Sequence, residues 1–225
     1  MIRNIFPNSF YSIISTPNKE EIFKALKTAR VDREASKWIE WNRDCKVDVE
    51  ILYRDEIGKF FLPSLEIFLK ELGVNQDLPF KCIGIWRNTY KKGGFQEIHD
   101  HLAGAVPESV SPFYEAEEAD LSACFFLEDY HPDASQFYFH NRHSSELNVV
   151  WRKFMRISPF LDGSISYTIK PKAGDVIFFP AYMLHGVTPH GSRNPRTTVS
   201  FNIKFLIISG ALLSVIISSP FLFLP

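Results

Sequence analysis

The sequence predicts a mainly β domain with helices towards its N-terminus, on three observations. Aromatic residues make up 15% of the 225 residues, and 21 of them are Phe, which favours a packed, β-rich core. Segment 80–90 alternates apolar and polar residues as a strand does. Segments 18–30 and 55–73 instead repeat apolar residues at helical spacing. We therefore expect one domain, with a helical cover over residues 1–77 and a β core over residues 78–205.

Composition argues against several functional classes. The 25 basic and 26 acidic residues give a formal net charge of −1, so a basic surface for nucleic acid is not expected. Cys45, Cys82 and Cys124 are odd in number and widely spaced, which excludes a disulfide framework and a CxxC zinc site. The N-terminal residues lack a signal-peptide pattern. We expect a protein of a reducing compartment, the cytoplasm.

Proline residues set the expected helix boundaries. Thr16 followed by Pro17 is typical of a helix N-cap and first helical position. Pro63 lies inside the second periodic segment, where it removes a backbone donor and clashes with the preceding turn. The sequence therefore predicts a first helix beginning near Thr16 and a second helical region broken into two short helices.

A His-x-His pair provides the first candidate site. His99 and His101 follow a predicted strand and a Gly-Gly turn. In an extended strand, side chains two residues apart share a face and lie about 6 to 7 Å apart at Cα, so Asp100 points the other way. With His185 alongside, three ligands would cover one face of an octahedral metal, as in non-haem Fe(II) oxygenases, which normally use two His and one carboxylate. The alternative is a pair of histidines on an exposed strand.

An arginine on the next predicted strand provides the second candidate site. Arg196 lies eleven residues after His185, and Thr198 follows on the same predicted strand. A planar guanidinium binds a carboxylate through two parallel hydrogen bonds, so this pattern indicates an anion site beside the metal site. An exposed strand arginine is the alternative. Arg193 and His190 lie in the preceding turn, where we expect both to be solvated.

The order and spacing of these motifs resemble a known family. The sequence is similar to the 2-oxoglutarate and Fe(II)-dependent oxygenase superfamily, most of all to a bacterial and phage group with a His-x-His…His…Arg pattern. The resemblance covers about residues 78–205. The matching motifs are Trp86-Arg87-Asn88, Gly93-Gly94, His99-Asp100-His101, Ser122 to Leu127, Gly174-Asp175, Phe179-Pro180, His185, Arg196-Thr197-Thr198 and Phe201-Asn202.

The resemblance implies a fold and a metal. The fold would be a double-stranded β-helix, or jelly roll, buttressed on one face by the N-terminal helices. Fe(II) would be held by His99, His101 and His185. The usual superfamily motif is His-x-Asp, and His101 stands at the position of the carboxylate. Asp100 is the fallback ligand, although it would need a bulge to reach the metal.

The resemblance also implies a co-substrate and a reaction. 2-Oxoglutarate would chelate the iron and pair its distal carboxylate with Arg196, with Thr198 donating to it. Trp86 and Asn88 would line the pocket. Dioxygen would be the oxidant, and the expected outcome is hydroxylation of a C–H bond in a peptidyl or small-molecule substrate, with release of succinate and CO2.

Two other functions remain open at this stage. A cupin-like metalloenzyme would use three histidines without 2-oxoglutarate, although it gives Arg196 no role. A non-catalytic jelly-roll binding module would make the histidine pair incidental. The substrate is not readable, and a homodimer is left open as a partner arrangement.

The C-terminal segment falls outside the family pattern. Residues 205–225 contain no charged residue, and a helix of that length can span a bilayer. A membrane tail is therefore one interpretation of residues 206–225, and a pair of buried strands or a segment without a role is the other.

Overall fold

The fold consists of two antiparallel β-sheets and a layer of helices. A computed structural model describes residues 9–37, 39, 44–74, 78–102, 118–142 and 166–206. The helices described are α1 (Lys19–Thr28), α2 (Arg33–Ser36), α3 (Arg54–Ile57), a 3₁₀ helix (Gly58–Phe61) and α4 (Leu62–Glu71). The strands are β1 (Ser12–Ser15), β2 (Val31–Asp32), β3 (Val47–Leu52), β4 (Phe80–Tyr90), β5 (Gln96–His99), β6 (Leu121–Phe126), β7 (Phe137–His140), β8 (Ser166–Thr168), β9 (Asp175–Pro180), β10 (His185–Val187) and β11 (Arg196–Phe205).

The strand order is that of a jelly roll. The larger sheet has the order β1-β9-β6-β11-β4-β3-β2, and the smaller has β5-β10-β7-β8. Counted from β4, the eight core strands divide into first, third, sixth and eighth in one sheet, and second, fourth, fifth and seventh in the other. Two interleaved Greek keys produce this division. The predicted mainly β, double-stranded β-helix fold is therefore present.

The larger sheet is covered on both faces, and this creates two separate cores. Strands β6 and β9 are buried at every residue. Alternate side chains of one strand point to opposite faces, so Phe125 and Phe178 pack towards the helices. Phe126 and Phe179 pack between the two sheets. The helices contribute Ile22, Leu26, Leu65, Phe68 and Leu69 to the first core.

The N-terminal part of the chain differs from the predicted helical cover. It contains α1 to α4 as expected, but it also contains β1, β2 and β3, which extend the larger sheet at its two edges. Strand β1 pairs with β9 from Ser12 to Ser15. In strand β3, the apolar Val47 and Val49 alternate with the charged Asp48 and Glu50.

One helix boundary was predicted wrongly and one correctly. α1 begins at Lys19 after Asn18, so Thr16 is not the N-cap. Thr16 instead extends the β1–β9 ladder, with its N–H donating to the Gly174 carbonyl at 3.1 Å. The expected break at Pro63 is confirmed. A 3₁₀ helix ends at Phe61, and α4 begins at Leu62 with the proline in its first turn.

Residues 103–117, residues 143–165 and the apolar segment from residue 207 onwards lie outside the described residues. Within the described parts of the chain, the structure contains no helix that is long and apolar enough to cross a membrane. The membrane-tail interpretation of residues 206–225 stays a prediction.

Phe178 tests the contribution of the helix-facing core. Its ring stacks on Phe68 at 5.0 Å between centroids and meets Phe201 edge-on at 6.0 Å. We expect Phe178→Ala to lower the free energy of unfolding by about 3–5 kcal/mol, since the cavity cannot fully collapse. Ile67→Ala, on the exposed side of α4, should cost about 0.5 kcal/mol. Urea denaturation of both variants measures the difference, and equal costs would contradict this packing.

Candidate active site

Three histidines come together at one end of the smaller sheet. His99 ends β5, His101 follows two residues later, and His185 begins β10. The antiparallel pairing of β10 with β5 places His185 directly opposite His99. A histidine 84 residues away in the sequence is thereby brought beside the His-x-His pair, as the motif spacing predicts.

The geometry of the three rings suits a single metal ion. Ring centroids are 4.3 Å apart for His99 and His185, 4.9 Å for His101 and His185, and 5.2 Å for His99 and His101. One ligand atom from each of the three lies within 4.8 Å of the others. Nitrogens at this spacing can converge on a metal with small side-chain adjustments, because Zn–N and similar bonds are about 2.0–2.1 Å long.

The hydrogen bonds of the three rings place the ring proton on Nδ1 in each. Nδ1 of His99 lies 2.7 Å from the Glu97 carbonyl oxygen, and Nδ1 of His185 lies 2.9 Å from that of Met183. A carbonyl oxygen only accepts, so each Nδ1 carries the proton. Nδ1 of His101 lies 2.7 Å from Oδ1 of Asn202 and donates in the same way. Nε2 is then unprotonated in all three rings, as a metal ligand requires.

Burial keeps the three rings neutral. Desolvation, with the neighbouring histidines as a further cause, lowers the pKa of His101 to about 4 and that of His185 well below its ordinary value. The pKa of His99 is also lowered, again chiefly by burial. Neutral imidazoles do not repel an incoming cation, so the cluster is prepared for metal binding at neutral pH.

Asp100 does not join this cluster. Its carboxylate accepts a hydrogen bond from Nη2 of Arg142 at 2.7 Å and another from the Leu102 N–H at 3.3 Å. It therefore points away from the histidines, as the alternation of a strand predicts. Of the two residues considered for the second ligand position, His101 is the one that the structure places with His99 and His185.

A cavity between the two sheets joins the histidines to Arg196 and Thr198. Arg196 is only 4% exposed, and no described residue forms a hydrogen bond with its Nε or Nη2, or with Oγ1 of Thr198. The Arg196 guanidinium lies over the ring of Phe126, 5.4 Å from its centroid. The nearby Glu128 carboxylate accepts from the Thr197 N–H instead. Burial lowers the pKa of Arg196, but a guanidinium stays charged in proteins. Among the described residues, the cavity therefore contains a buried cation that has no carboxylate in direct ion-pair contact.

Sequence reasoning missed several residues of the cavity wall. Tyr90, Gln96, Cys124 and Ser200 line it, and the Tyr90 hydroxyl donates to Oε1 of Gln96. Tyr90 could have been found, since it lies four residues after Trp86 and therefore on the same face of β4. Burial raises the pKa of Cys124 to about 11, so it remains a thiol at neutral pH, and it does not belong to the group of three histidines.

The two residues predicted to line the pocket differ in position. Trp86 lines the cavity, and its ring centroid is 5.6 Å from that of His101. Asn88 lies on the same face of β4 but is 1% exposed and is not part of the wall. Its amide donates to Oγ of Ser200 at 3.3 Å, so it supports a residue of the wall.

The turn before Arg196 gave one correct and one wrong expectation. Arg193 is exposed, as predicted. His190 was expected to be solvated and is 2% exposed. Its Nδ1 accepts from the Ser135 N–H at 2.9 Å, and its Nε2 lies 2.7 Å from the Asn194 carbonyl. His190 is therefore a structural residue that ties the turn to the loop before β7, a contact that local sequence does not reveal.

The comparisons with known proteins identify the family. A family model described as "Putative 2OG-Fe(II) oxygenase" matches residues 84–202, more than half of the chain. The chain belongs to this family of 2-oxoglutarate and Fe(II)-dependent oxygenases. The match contains the three histidines, Arg196 and Thr198, and it confirms the resemblance drawn from the motifs. No curated protein matches the chain.

Solved structures of this fold are similar over most of the chain. HygX from Streptomyces hygroscopicus, with nickel and 2-oxoglutarate bound, is 12% identical with a TM-score of 0.53, over 88% of this chain and 84% of its own. The viral collagen prolyl hydroxylase vCPH from Paramecium Bursaria Chlorella virus-1, in complex with 2OG, is 12% identical with a TM-score of 0.53, over 89% of this chain and 98% of its own. The epimerase SnoN from nogalamycin biosynthesis is 13% identical with a TM-score of 0.55, over 88% of this chain and 78% of its own. At these identities the likeness shows the shared fold.

The neutral histidine cluster predicts a pH dependence of the metal-free protein. Between its folded pKa of about 4 and its ordinary unfolded value near 6.5, His101 binds more protons when unfolded. Stability must therefore fall as the pH falls through this window. Between pH 7.5 and 5.0, we expect His101→Gln to remove on the order of 1–2 kcal/mol of that loss. Urea denaturation at the two pH values measures it.

The control for this measurement is His131→Gln, which replaces an exposed histidine remote from the cluster. It should keep the wild-type difference between the two pH values. A His101→Gln variant with the same pH dependence as wild type would contradict the neutral state assigned to the cluster.

Proposed function

We propose that the protein is an Fe(II)- and 2-oxoglutarate-dependent dioxygenase that hydroxylates a C–H bond of a peptidyl or small-molecule substrate, with release of succinate and CO2. One observation carries the proposal: the buried guanidinium of Arg196, two of whose nitrogens have no hydrogen-bond partner among the described residues, lines the same cavity as three histidines with unprotonated Nε2 atoms. A dicarboxylate that bound a metal at one end would satisfy the arginine at the other.

The residues fit the metal, with one departure from the common ligand set. Three neutral imidazoles are suitable ligands for Fe(II) and other first-row metals, and they leave further positions open. The usual set has one carboxylate, which cancels one unit of the metal charge. His101 cannot do this, so a metal held by His99, His101 and His185 keeps its full double charge for the anions that bind beside it.

The cavity also fits 2-oxoglutarate. A buried cation without a partner costs several kcal/mol in effective desolvation, so Arg196 favours the binding of an anion. Thr198 adds a hydroxyl that has no other partner and can donate to the same carboxylate. Phe126 beneath the guanidinium restricts its movement, which orients the planar fork for two parallel hydrogen bonds.

The chain's own residues then have distinct tasks. The histidines hold the metal through Nε2, while the acceptors on Nδ1 fix the orientation of each ring. Arg196 and Thr198 fix the distal end of the co-substrate. The aromatic wall, with Trp86 and Phe137, limits the access of water. The iron with its co-substrate supplies the oxidising chemistry, and the substrate must bring a C–H bond to it.

Proteins of similar fold are associated with both proposed substrate classes. One HygX structure contains the small molecule hygromycin B, and vCPH is named a collagen prolyl hydroxylase, which indicates a peptidyl substrate. Fold does not decide between them for this chain. A second candidate function, a three-histidine metalloenzyme without 2-oxoglutarate, is favoured by the absence of a carboxylate from the described metal cluster. It leaves the unpartnered Arg196 unexplained.

Anaerobic titration with Fe(II) and 2-oxoglutarate distinguishes the two functions. We expect wild-type protein to develop the weak visible charge-transfer band of iron-chelated 2-oxoglutarate. Arg196→Leu should weaken 2-oxoglutarate binding by about 10²–10³-fold, because truncating one partner of a buried charge pair costs about 2–5 kcal/mol. Arg193→Leu, an exposed arginine three residues away, is the matched control and should bind as wild type does.

Each other outcome contradicts a specific part of the proposal. Iron binding without the band in wild-type protein would support the 2-oxoglutarate-independent enzyme. An unchanged affinity of Arg196→Leu for 2-oxoglutarate would show that Arg196 does not bind the co-substrate. A lack of iron uptake by wild-type protein would exclude both enzymatic functions and favour the non-catalytic binding module.

A further inference from the structure

The three histidines of the cluster are oriented by different kinds of acceptor. Nδ1 of His99 and of His185 each lie beside a backbone carbonyl, of Glu97 and Met183 respectively. Main-chain acceptors belong to the backbone and do not depend on the identity of a side chain. Nδ1 of His101 has side-chain partners instead, namely Asn202 and Ser122. His101 is therefore the ligand whose orientation depends on the identity of other residues.

The three side chains form a closed triangle. Nδ1 of His101 lies 2.7 Å from Oδ1 of Asn202 and 2.8 Å from Oγ of Ser122, and the Ser122 hydroxyl donates to the same Oδ1 at 2.9 Å. Asn202 on β11 and Ser122 on β6 are register partners in the larger sheet. The triangle therefore reaches from the larger sheet to a residue that follows β5 of the smaller one.

The triangle determines which ring nitrogen carries the proton. Oδ1 of Asn202 can accept two hydrogen bonds, and here both the imidazole and the hydroxyl point towards it. An imidazole with the proton on Nε2 would present a lone pair to Oδ1, and the two acceptors would repel each other. The Ser122 hydroxyl matters for a second reason. It donates to Oδ1, which disfavours rotation of the amide to present its NH2 group to the ring.

We propose that Asn202 and Ser122 are positioning residues that hold His101 in the Nδ1–H tautomer, with Nε2 free to bind the metal. The part concerning the metal rests on the proposed function; the tautomer does not. Acceptors on the far nitrogen of a metal-bound histidine typically change metal affinity by 10- to 100-fold. Because His101 takes the place of the usual carboxylate, this triangle controls the ligand in which the chain departs from the common set.

The location of Asn202 supports this role. β11 presents Arg196, Thr198, Ser200 and Asn202 on one face, since alternate residues share a face. The first three line the cavity, and the fourth contacts a histidine of the cluster. The ladder to β4 is irregular directly after Asn202. The Trp86 ring also contacts the His101 ring, with 5.6 Å between their centroids, so the imidazole has an aromatic neighbour in addition to the triangle.

Tautomers of the metal-free protein can be observed directly. Long-range ¹H–¹⁵N correlation spectra of protein labelled on histidine distinguish Nδ1–H from Nε2–H, and the His101 signals are assigned by their loss in His101→Gln. We expect wild-type protein to show His101 with the proton on Nδ1. Asn202→Leu should shift its signals towards the Nε2–H form. Asn202→Asp keeps an acceptor at the same place and should retain the wild-type pattern.

Metal binding is measured on the same variants with Co(II) as the probe, through its visible absorption. We expect Asn202→Leu to bind Co(II) 10- to 100-fold more weakly than wild type. Ser122→Ala should lose several-fold, because it frees the amide to rotate, and Asn202→Asp should bind at least as tightly as wild type. Asn18→Leu removes an asparagine hydrogen bond to the Phe60 carbonyl, remote from the site, and controls for general loss of stability.

The outcomes separate this proposal from the proposed function. Asn202→Leu with the wild-type tautomer and Co(II) affinity would overturn the positioning role, even if wild-type protein binds iron and 2-oxoglutarate. A tautomer shift in Asn202→Leu, with no Co(II) uptake by wild-type protein, would support the positioning of His101 and contradict the metal site. If Asn202→Leu fails to fold, a Ser122→Ala variant indistinguishable from wild type in both measurements would overturn the role of the triangle.

Discussion

The covering of the larger sheet on both faces is the constraint on which the site depends. A strand in the middle of a three-layer arrangement must be apolar towards the helices, which here means Val199, Phe201 and Ile203 of β11. Its other face turns towards the smaller sheet, where polar side chains can line the cavity between the two sheets. That face carries the polar residues Arg196, Thr198, Ser200 and Asn202. Because a shift of one residue would exchange the two faces of the strand, the packing of its apolar face also determines which polar side chains face the cavity.

The electrostatics of the cavity follow from residues that are neutral or positive. Its histidines are uncharged, its cysteine stays protonated, and among the described residues of its wall there is neither Asp nor Glu. Arg196 is then a cation without a counter-charge in the described wall of the cavity, and a divalent metal on three imidazoles would add two more positive charges close by. A dianion with carboxylates at both ends would meet both requirements at once, which is consistent with the three histidines and Arg196 lining one cavity.

Local sequence patterns could predict the parts of the fold and site that depend on short-range periodicity. The two-residue spacing of His99 and His101 predicted a shared face, and Pro63 predicted a break between two helices. Contacts between distant segments could not be predicted in this way. The burial of His190 depends on Ser135, 55 residues earlier, and the pairing of β1 with β9 joins residues about 160 positions apart.

The triangle of His101, Ser122 and Asn202 shows the same limit within the site. Ser122 and Asn202 belong to motifs visible in the sequence, but only the pairing of β6 with β11 places them together. Asn88, predicted from its motif to line the pocket, lies on the same face of β4 as Trp86. It does not reach the cavity, and its amide donates a hydrogen bond to Ser200, which does line it. Alternation identifies the face of a strand, and it does not decide which side chain reaches the cavity.

The central claim is that one dicarboxylate connects the histidine cluster to Arg196. A crystal structure of the protein grown anaerobically with Fe(II) and 2-oxoglutarate tests it most directly. The account predicts iron on Nε2 of His99, His101 and His185, with 2-oxoglutarate bound to the iron and its distal carboxylate on the Arg196 guanidinium. Iron on the three histidines with no co-substrate at Arg196, or a co-substrate held elsewhere, would contradict it.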